Sequence, residues 1–307
     1  MASRWASGLL LVATAVLLWG VQTPLTRNTY LRVDPMWMGM IRVGATWLVL
    51  PLMLLVIEGR RSLRFEGRFL SLAWHGAMGL SGFNLFFFIG LIYTTPERAA
   101  VILALQPTLI AALLWATRGI RPAPVTLACT VAAFAGAALV VTQGGAVAAG
   151  SASWVGDCAF LLAALCWVGY SLGANDYPGW SALRYTAMSG LMGPVLFACV
   201  FLFAAGSGIA PAPDAAALLS VAPETAYLVL GVAVVALLAW NAAIPRLGPL
   251  NASLCATATP LVTLGWRAME GHRFSAGELA GAALVIGALV VNNLAQRHRL
   301  AGAVSGR

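Results

Sequence analysis

The chain has 307 residues, of which 61% are hydrophobic and only 9% charged, with a formal net charge of +8. A soluble domain carries roughly 25% charged residues, so this composition excludes a water-soluble globule. A basic excess in a soluble protein would point to nucleic acid, but all 18 basic residues here are arginines set around apolar stretches, and no nucleic-acid partner is expected.

A stretch of about 20 apolar residues suffices to cross the hydrocarbon core as a helix. Ten such stretches are predicted in chain order: 7–26, 35–57, 69–93, 97–117, 123–142, 153–172, 181–205, 223–244, 249–269 and 275–295. The first has Arg4 ahead of Leu9–Leu18, in the manner of a signal peptide. Its apolar run continues to Leu25, which favours a retained helix. The ten stretches leave almost no chain for a water-soluble or catalytic domain.

Orientation follows from the arginines. With a cytoplasmic N-terminus, Arg4, Arg60, Arg61, Arg64, Arg68, Arg118, Arg121, Arg184, Arg246, Arg297, Arg299 and Arg307 lie inside. Arg27, Arg32, Arg98, Arg267 and Arg273 lie outside, and Arg42 falls within the second stretch. Short cytoplasmic loops carry such an excess of basic residues. Both termini are therefore expected in the cytoplasm of a multi-pass protein of the plasma (inner) membrane.

The stretches repeat. Trp19-Gly20-Val21-Gln22 late in the first corresponds to Cys166-Trp167-Val168-Gly169-Tyr170 late in the sixth. Ala99-Ala100 leading to Gln106-Pro107 corresponds to Asn251-Ala252 leading to Thr259-Pro260. Ala138-Leu139-Val140-Val141 corresponds to Ala288-Leu289-Val290-Val291. One period of about 150 positions carries all three pairs. A unit of five crossings re-enters the membrane upside down, so residues 1–145 and 146–307 read as two inverted five-helix repeats, the second ending in a short basic tail. Inverted repeats with a site at their interface are a transporter architecture. The fold class expected is thus an all-α membrane protein of ten transmembrane helices.

These residues also carry a resemblance. Leu18-Trp19-Gly20, Arg42 early in the second stretch, Phe86-Phe87-Phe88-Ile89-Gly90-Leu91 through Ala99-Ala100 to Pro107, Gly156-Asp157 opening the helix that ends in Trp167, Pro260, Glu270 and Gly281–Val291 occur in an order that resembles the drug/metabolite transporter superfamily, in its EamA-like branch. The likeness covers nearly the whole chain. It implies a secondary carrier, frequently an exporter of amino acids or related metabolites. One departure is that Thr117-Arg118-Gly119 stands where the family often has a glutamate matching Glu270.

Polar groups inside the hydrocarbon are costly, so they are either functional or tie helices together. Trp19 and Gln22 share a helix face, as do their counterparts Trp167 and Tyr170. They are either interface-belt aromatics or gates at opposite mouths of one pathway. Asn84 and Phe87 share a face of the third helix, and Trp240 aligns near Phe87 in the eighth, followed by Asn241, an aromatic wall with one amide that suits a zwitterionic or apolar solute. Gln106-Pro107 and Thr259-Pro260 place symmetric prolines that free backbone carbonyls, tolerated at membrane depth where they line a cavity. Pro107 and Pro260 are read as hinges, with Gln106, Thr257 and Thr259 available to substrate. Arg42 is read as a snorkelling anchor near Asp34 or as the partner of a carboxylate, and His75 as structural or interfacial.

Glu97, Asp157, Glu224, Glu270 and Glu278 all fall near predicted helix ends, so no central carboxylate relay is visible, and exchange or facilitated diffusion competes with proton coupling. The small residues Ala132, Ala133, Gly136, Ala137 and Ala138, and Gly281, Ala283 and Gly287, permit close helix approach, as scaffold or as a homodimer surface. The five cysteines all fall in predicted spans and read as buried free thiols. No catalytic residue, metal or cofactor is expected. A membrane enzyme would need converging acids, histidines or a metal cluster, whereas the three histidines stand at 75, 272 and 298. A lipid flippase or scramblase, or a broad drug/metabolite facilitator, would share the architecture, and a channel would show a ring of charge or a filter sequence. The leading expectation is an alternating-access carrier whose partners are a small-molecule substrate and the lipid bilayer.

Overall fold

A computed structural model describes residues 2–93, 102–103, 105–142, 153–269, 271 and 273–305. Ten helical passages run through them, and no strand occurs among the described residues. They are α1 (Ala2–Tyr30); α2 (Pro35–Glu58); α3, in three continuous pieces, Phe69–Gly76, Ala77–Gly82 and Phe83–Tyr93; and α4 (Gln106–Arg118). They continue with α5 (Pro124–Thr142); α6 (Ser153–Gly173); α7, in two pieces, Ala182–Met192 and Pro194–Gly206; and α8, in three, Ala222–Ala226, Tyr227–Ala236 and Leu237–Leu247. The last are α9, Pro249–Ala256 and Thr259–Met269, and α10, Ala276–Ser305.

Local chemistry sets the ends. Asp34 caps α2, its carboxylate accepting from the Met36 amide at 2.8 Å, with Pro35 in the first turn where its missing donor is harmless. Ser181 accepts from the Arg184 amide at 2.9 Å and starts α7. Ser275 and Glu278 exchange side-chain bonds to each other's amides at α10, a reciprocal cap. Gly119 closes α4 at φ 65°, a left-handed position that glycine adopts without strain.

Five passages are by themselves long and apolar enough to cross a membrane: Arg4–Gln22, Pro35–Glu58, Trp154–Gly173, Ala182–Gly206 and Ala222–Leu247. Large apolar side chains point outward in quantity, among them Leu48, Leu52, Val56, Leu202, Phe203 and Val290. On a soluble protein such a surface would aggregate; against acyl chains it is at home. The protein is an all-α membrane protein.

Helix neighbours obey a simple rule. α1 packs on α8 and α9, as α6 packs on α3 and α4; α2 packs on α8, as α7 packs on α3. α2 meets α7, α4 meets α9 and α5 meets α10. Exchanging each helix for the one five places on maps this set of neighbours onto itself, which is what two five-helix units about a two-fold axis produce. The irregularities obey it too. The wide-turn π-helical stretches fall in α3 (Ala77–Gly82) and α8 (Tyr227–Ala236). The helix breaks fall before Gln106 and at Thr257–Ala258.

The polar ties sort the connections into two faces. On the face that carries the N-terminus, Arg118 pairs with Asp176 at 2.8 Å, and Arg68 donates to the Asp176 carbonyl. There too Arg184 pairs with Glu66 at 2.7 Å, joining the α2–α3, α4–α5 and α6–α7 connections. On the opposite face Arg32 pairs with Glu224 at 2.7 Å, joining the α1–α2 and α7–α8 connections. This alternation is what successive crossings require.

Several expectations need correction. α1 runs from Ala2 to Tyr30 rather than over 7–26, so Trp19 sits mid-helix. The helical breaks at Leu105 and Thr257–Ala258 precede both prolines, which therefore open the following helices (α4 and the second piece of α9) instead of kinking continuous ones. Cys158 and Cys199 face outward, while Cys129 and Cys166 are buried. The expectations placed on Glu97, Ala99, Ala100, Glu270 and His272, and the boundary at 145/146, lie outside the described residues.

Among the described residues, glycines let backbone meet backbone at two places. A Cβ on Gly76 would stand 2.1 Å from the Ser189 carbonyl oxygen, where α3 and α7 touch backbone to backbone. A Cβ on Gly136 would stand 2.7 Å from the Gly281 carbonyl oxygen, where α5 and α10 do the same. By contrast, Gly287 has nothing within 4 Å.

Candidate functional site

A cavity of about 600 Å³ opens on the N-terminal face between α1, α7, α8 and the α6–α7 connection. Ligand pockets commonly hold roughly 300–1,000 Å³, so its capacity suits a small organic molecule. Arg4 and Ser7 contribute one wall, one turn apart on α1. The α6–α7 connection folds Tyr177, Trp180 and Ser181 inward, and Tyr185 follows from the first turn of α7. Asn241, Ala242, Pro245 and Arg246 complete it from α8, with Asn241 a turn deeper than Arg246.

The aromatic wall is braced from behind. The Tyr185 hydroxyl donates to the Tyr170 carbonyl at 2.7 Å, and the Tyr170 and Tyr185 rings stack at 5.4 Å. His75 stands edge-on to Tyr177 and Tyr185, with Nδ1 3.2 Å from the Tyr177 hydroxyl. Ser71 lies 2.7 Å from the same hydroxyl. The guanidinium of Arg184 covers Trp180 at 3.9 Å from its ring centre.

The inner end holds the best-defined chemistry. Asn241 is 2% exposed. Its Nδ2 donates to the Tyr170 hydroxyl and to Thr186 Oγ1, both at 2.7 Å. Thr186 commits its own proton to the Ala182 carbonyl at 2.6 Å, so it can only accept, and this fixes which end of the amide faces it. Asn241 Oδ1 is left buried without a hydrogen-bond partner. A buried acceptor left unsatisfied costs about 1–3 kcal/mol, a cost that a bound donor would offset.

Next to Asn241 on α8, Trp240 belongs to a cluster of indoles. Trp19, Trp167 and Trp240 form a mutual cluster with ring centres 5.4–6.0 Å apart, and Trp240 Nε1 donates to Ser171 Oγ at 3.1 Å. Phe83 and Tyr170 lean on Trp167 at 5.4 and 5.7 Å. The expectation that Trp19 and Trp167 occupy opposite mouths does not hold. α1 extends well past Trp19, and the two-fold arrangement of helices brings both rings to the centre.

The other expected residues are placed as follows. Asn84 accepts from Arg42 at 2.6 Å and donates to Leu80 O at 2.6 Å, tying α2 to α3 on the opposite side of the indole cluster. Arg42 is thus held by an amide and not by Asp34, which is occupied in capping α2. A small void beside Arg42 is lined by Thr26, Tyr30 and Leu228. Phe87 packs on Phe83 and Phe160. Thr257 and Thr259 turn their hydroxyls back onto Leu254 O and Ala256 O at 2.6 and 2.7 Å, serving carbonyls at the α9 break. Gln22, Gln106, Phe87 and Thr257 do not line the cavity. Of the expected residues, Asn241 lines it, and Tyr170, Trp167, Trp240 and Trp19 form the layers behind.

Sequence reasoning passed over Arg4, Tyr177, Trp180, Tyr185 and Arg246. One signal was available: Asp176-Tyr177-Pro178-Gly179-Trp180 is a Pro-Gly turn flanked by aromatics, unusual for a loop whose only task is to connect helices. No group of three His, Cys, Asp or Glu side chains that could hold a metal occurs among the described residues.

Comparison with known proteins fits this geometry. Residues 6–142 match the EamA-like transporter family. Over those residues the chain is similar to that family, a branch of the drug/metabolite transporter superfamily. It is 28% identical over 298 residues to "Uncharacterized transporter YrdR" of Bacillus subtilis (strain 168), covering 94% of this chain and 92% of that one. It is likewise 28% identical over 247 residues to "Uncharacterized transporter YyaM" of the same organism, covering 80% of each. A solved crystal structure shares the fold with a TM-score of 0.78 at 21% identity, covering 95% of this chain and 99% of that chain. The matched family and both named relatives are transporters.

Proposed function

We propose that this protein is a member of the drug/metabolite transporter superfamily and an alternating-access secondary carrier that exports small organic solutes, amino acids or related metabolites, from the cytoplasm. Residues 1–145 and 146–307 form its two inverted units, with both termini cytoplasmic in the plasma (inner) membrane. The observation that carries the reading is the one-sided cavity. Solute reaches Asn241 from the N-terminal face and is stopped there by the Trp19, Trp167 and Trp240 cluster. An opening to one side with a thin aromatic septum is one of the two states that alternating access requires. The arginines on the N-terminal face support a cytoplasmic assignment for it.

Movement has a structural basis in the proposal. α4 and α9 are broken ahead of Pro107 and Pro260, and α3 and α8 carry the wide turns. Rocking of one unit against the other would bend at these positions, part the indoles and expose the Arg42–Asn84 side. Counterflow into proteoliposomes preloaded with pooled metabolites tests the reading. Wild-type protein should take up a labelled solute saturably, while Asn241→Leu, compared at equal reconstituted amount, should lose about tenfold or more, equivalent to about 1.4 kcal/mol at the barrier. Uptake equal in both would remove the cavity from the path. Uptake by neither, with labelled phospholipid flipped instead, would replace the carrier with a flippase.

A further inference from the structure

The cavity also carries information about what it admits. Arg4 and Arg246 both line it, and among the described residues no aspartate or glutamate does. Three arginines elsewhere, Arg32, Arg118 and Arg184, each hold a carboxylate. Arg4 and Arg246 have no such partner among the described residues, and Arg246 donates only to the Ala242 carbonyl of its own helix. Of the nearby acids, Asp176 is paired with Arg118 and Glu66 with Arg184, and Glu58 accepts from the hydroxyl of the cavity-lining Ser181, which leaves Arg4 and Arg246 in excess. The mouth is therefore positive, and low-dielectric walls focus such a field along a cleft. At the far end the acceptor Asn241 Oδ1 waits for a donor, its orientation fixed through Thr186. Between the two lies the aromatic wall of Tyr177, Trp180 and Tyr185.

Resting on the carrier reading, we propose that the cavity is a site for small organic anions that bear an N–H or O–H donor, and that it turns away cations. The anionic group lies between Arg4 and Arg246, the body rests on the aromatic wall, and the donor reaches Asn241 Oδ1. The bland alternative is that the two arginines only anchor the face to lipid phosphates, as the long side chains of basic residues do. The two accounts differ in the potential felt inside the cavity.

That potential can be measured without knowing the substrate. Ala242→Cys, in a background whose five native cysteines are replaced, places one thiol on the cavity wall. Its reaction rates with sulfonate-bearing and trimethylammonium-bearing methanethiosulfonates are each divided by the rate with a free small thiol. The anionic reagent should be favoured about tenfold, within the range that charged clefts produce, and Arg4→Gln with Arg246→Gln should bring the ratio near one. A ratio at or below one in the parent overturns the anion assignment and leaves the carrier reading standing. Failure of both reagents to react overturns the cavity as a solute path, and with it both readings. Protection of the thiol then tests the donor. 3-Phenyllactate should protect better than 3-phenylpropionate, and phenethylamine should not protect. Equal protection by the two acids, or none by phenyllactate, overturns the role of Asn241 Oδ1, and protection by phenethylamine overturns the exclusion of cations.

Discussion

The two faces of this protein are closed by different means. On the N-terminal face the loops are held by arginine contacts, Arg118 to Asp176, Arg184 to Glu66 and Arg68 to the Asp176 carbonyl. A cavity stands open beside them. On the opposite face, among the described residues, Val33, Met38, Val221, Leu228 and Val232 form a buried apolar cluster. Tyr227 donates to Leu18 O at 3.0 Å, and a single ion pair, Arg32–Glu224, lies at its edge. Exposed ion pairs contribute about 0–1 kcal/mol each, whereas fully burying one large apolar side chain contributes about 1.5–3 kcal/mol. The exposed ties of the N-terminal face are thus its weaker part, and the buried cluster of Leu54, Leu72, Tyr177 and Tyr185 lies behind them. The difference teaches that the state seen here is kept by buried apolar contacts, on the opposite face those of Val33, Met38 and Leu228, more than by the ion pairs beside the cavity.

The largest effect should come from breaking what the faces share. Gly76→Ala drives a methyl group into the Ser189 carbonyl, and overpacking of this kind costs roughly 1–3 kcal/mol. A clear fall in thermal stability in detergent is expected, with Gly287→Ala as the neutral control; equal melting of the two would show that α3 and α7 part easily. Next comes the septum. Trp19→Ala removes a ring that touches both Trp167 and Trp240. An impermeant thiol reagent applied from the opposite face should then reach a cysteine at position 242 several-fold faster, and an unchanged rate would place the seal in the apolar cluster alone.

Arg32→Gln should cost at most about 1 kcal/mol, since both partners are partly exposed, yet it should raise accessibility from the opposite face measurably. An unaltered rate would make the pair ornamental. The smallest effect concerns acid. The Arg184 hydrogen bond, with a further one from Trp180, holds the Glu66 carboxyl below the usual carboxylate range. Its contribution is present above that range and is lost as pH falls through the depressed value. Stability profiles of wild type and Glu66→Gln should therefore differ near neutrality and converge in acid. A constant gap across the whole range would show that the charge on Glu66 contributes nothing.

Much of the architecture was legible because bilayer thickness and backbone hydrogen bonding leave few options. Apolar length gave the ten passages, and the Trp19/Trp167 and Pro107/Pro260 pairs carry the repeat proposed above. The site was harder to read. Asn241 stood out as an amide in an apolar run, but Asn84 looked identical in sequence and proved to serve Arg42. Only a contact between residues 42 positions apart separates the two roles. The tryptophans were found but misplaced, because whether a ring lies at a mouth or at the centre depends on where its helix ends. Thr257 looked available to solute because a broken helix leaves carbonyls unpaired, and the hydroxyl itself satisfies one of them. The aromatic wall was missed because Tyr177 and Trp180 belong to a loop whose inward fold no periodicity reports.

The wide turns in α3 and α8 have a consequence for how such chains diverge. A stretch whose hydrogen bonds reach five residues back stores one surplus residue without fraying the helix around it. Deleting a residue within Ala77–Gly82 or Tyr227–Ala236 would return that stretch to ordinary winding while the flanking faces kept their partners. Length differences between relatives should gather at these two places, inside the bilayer, where alignments ordinarily forbid gaps.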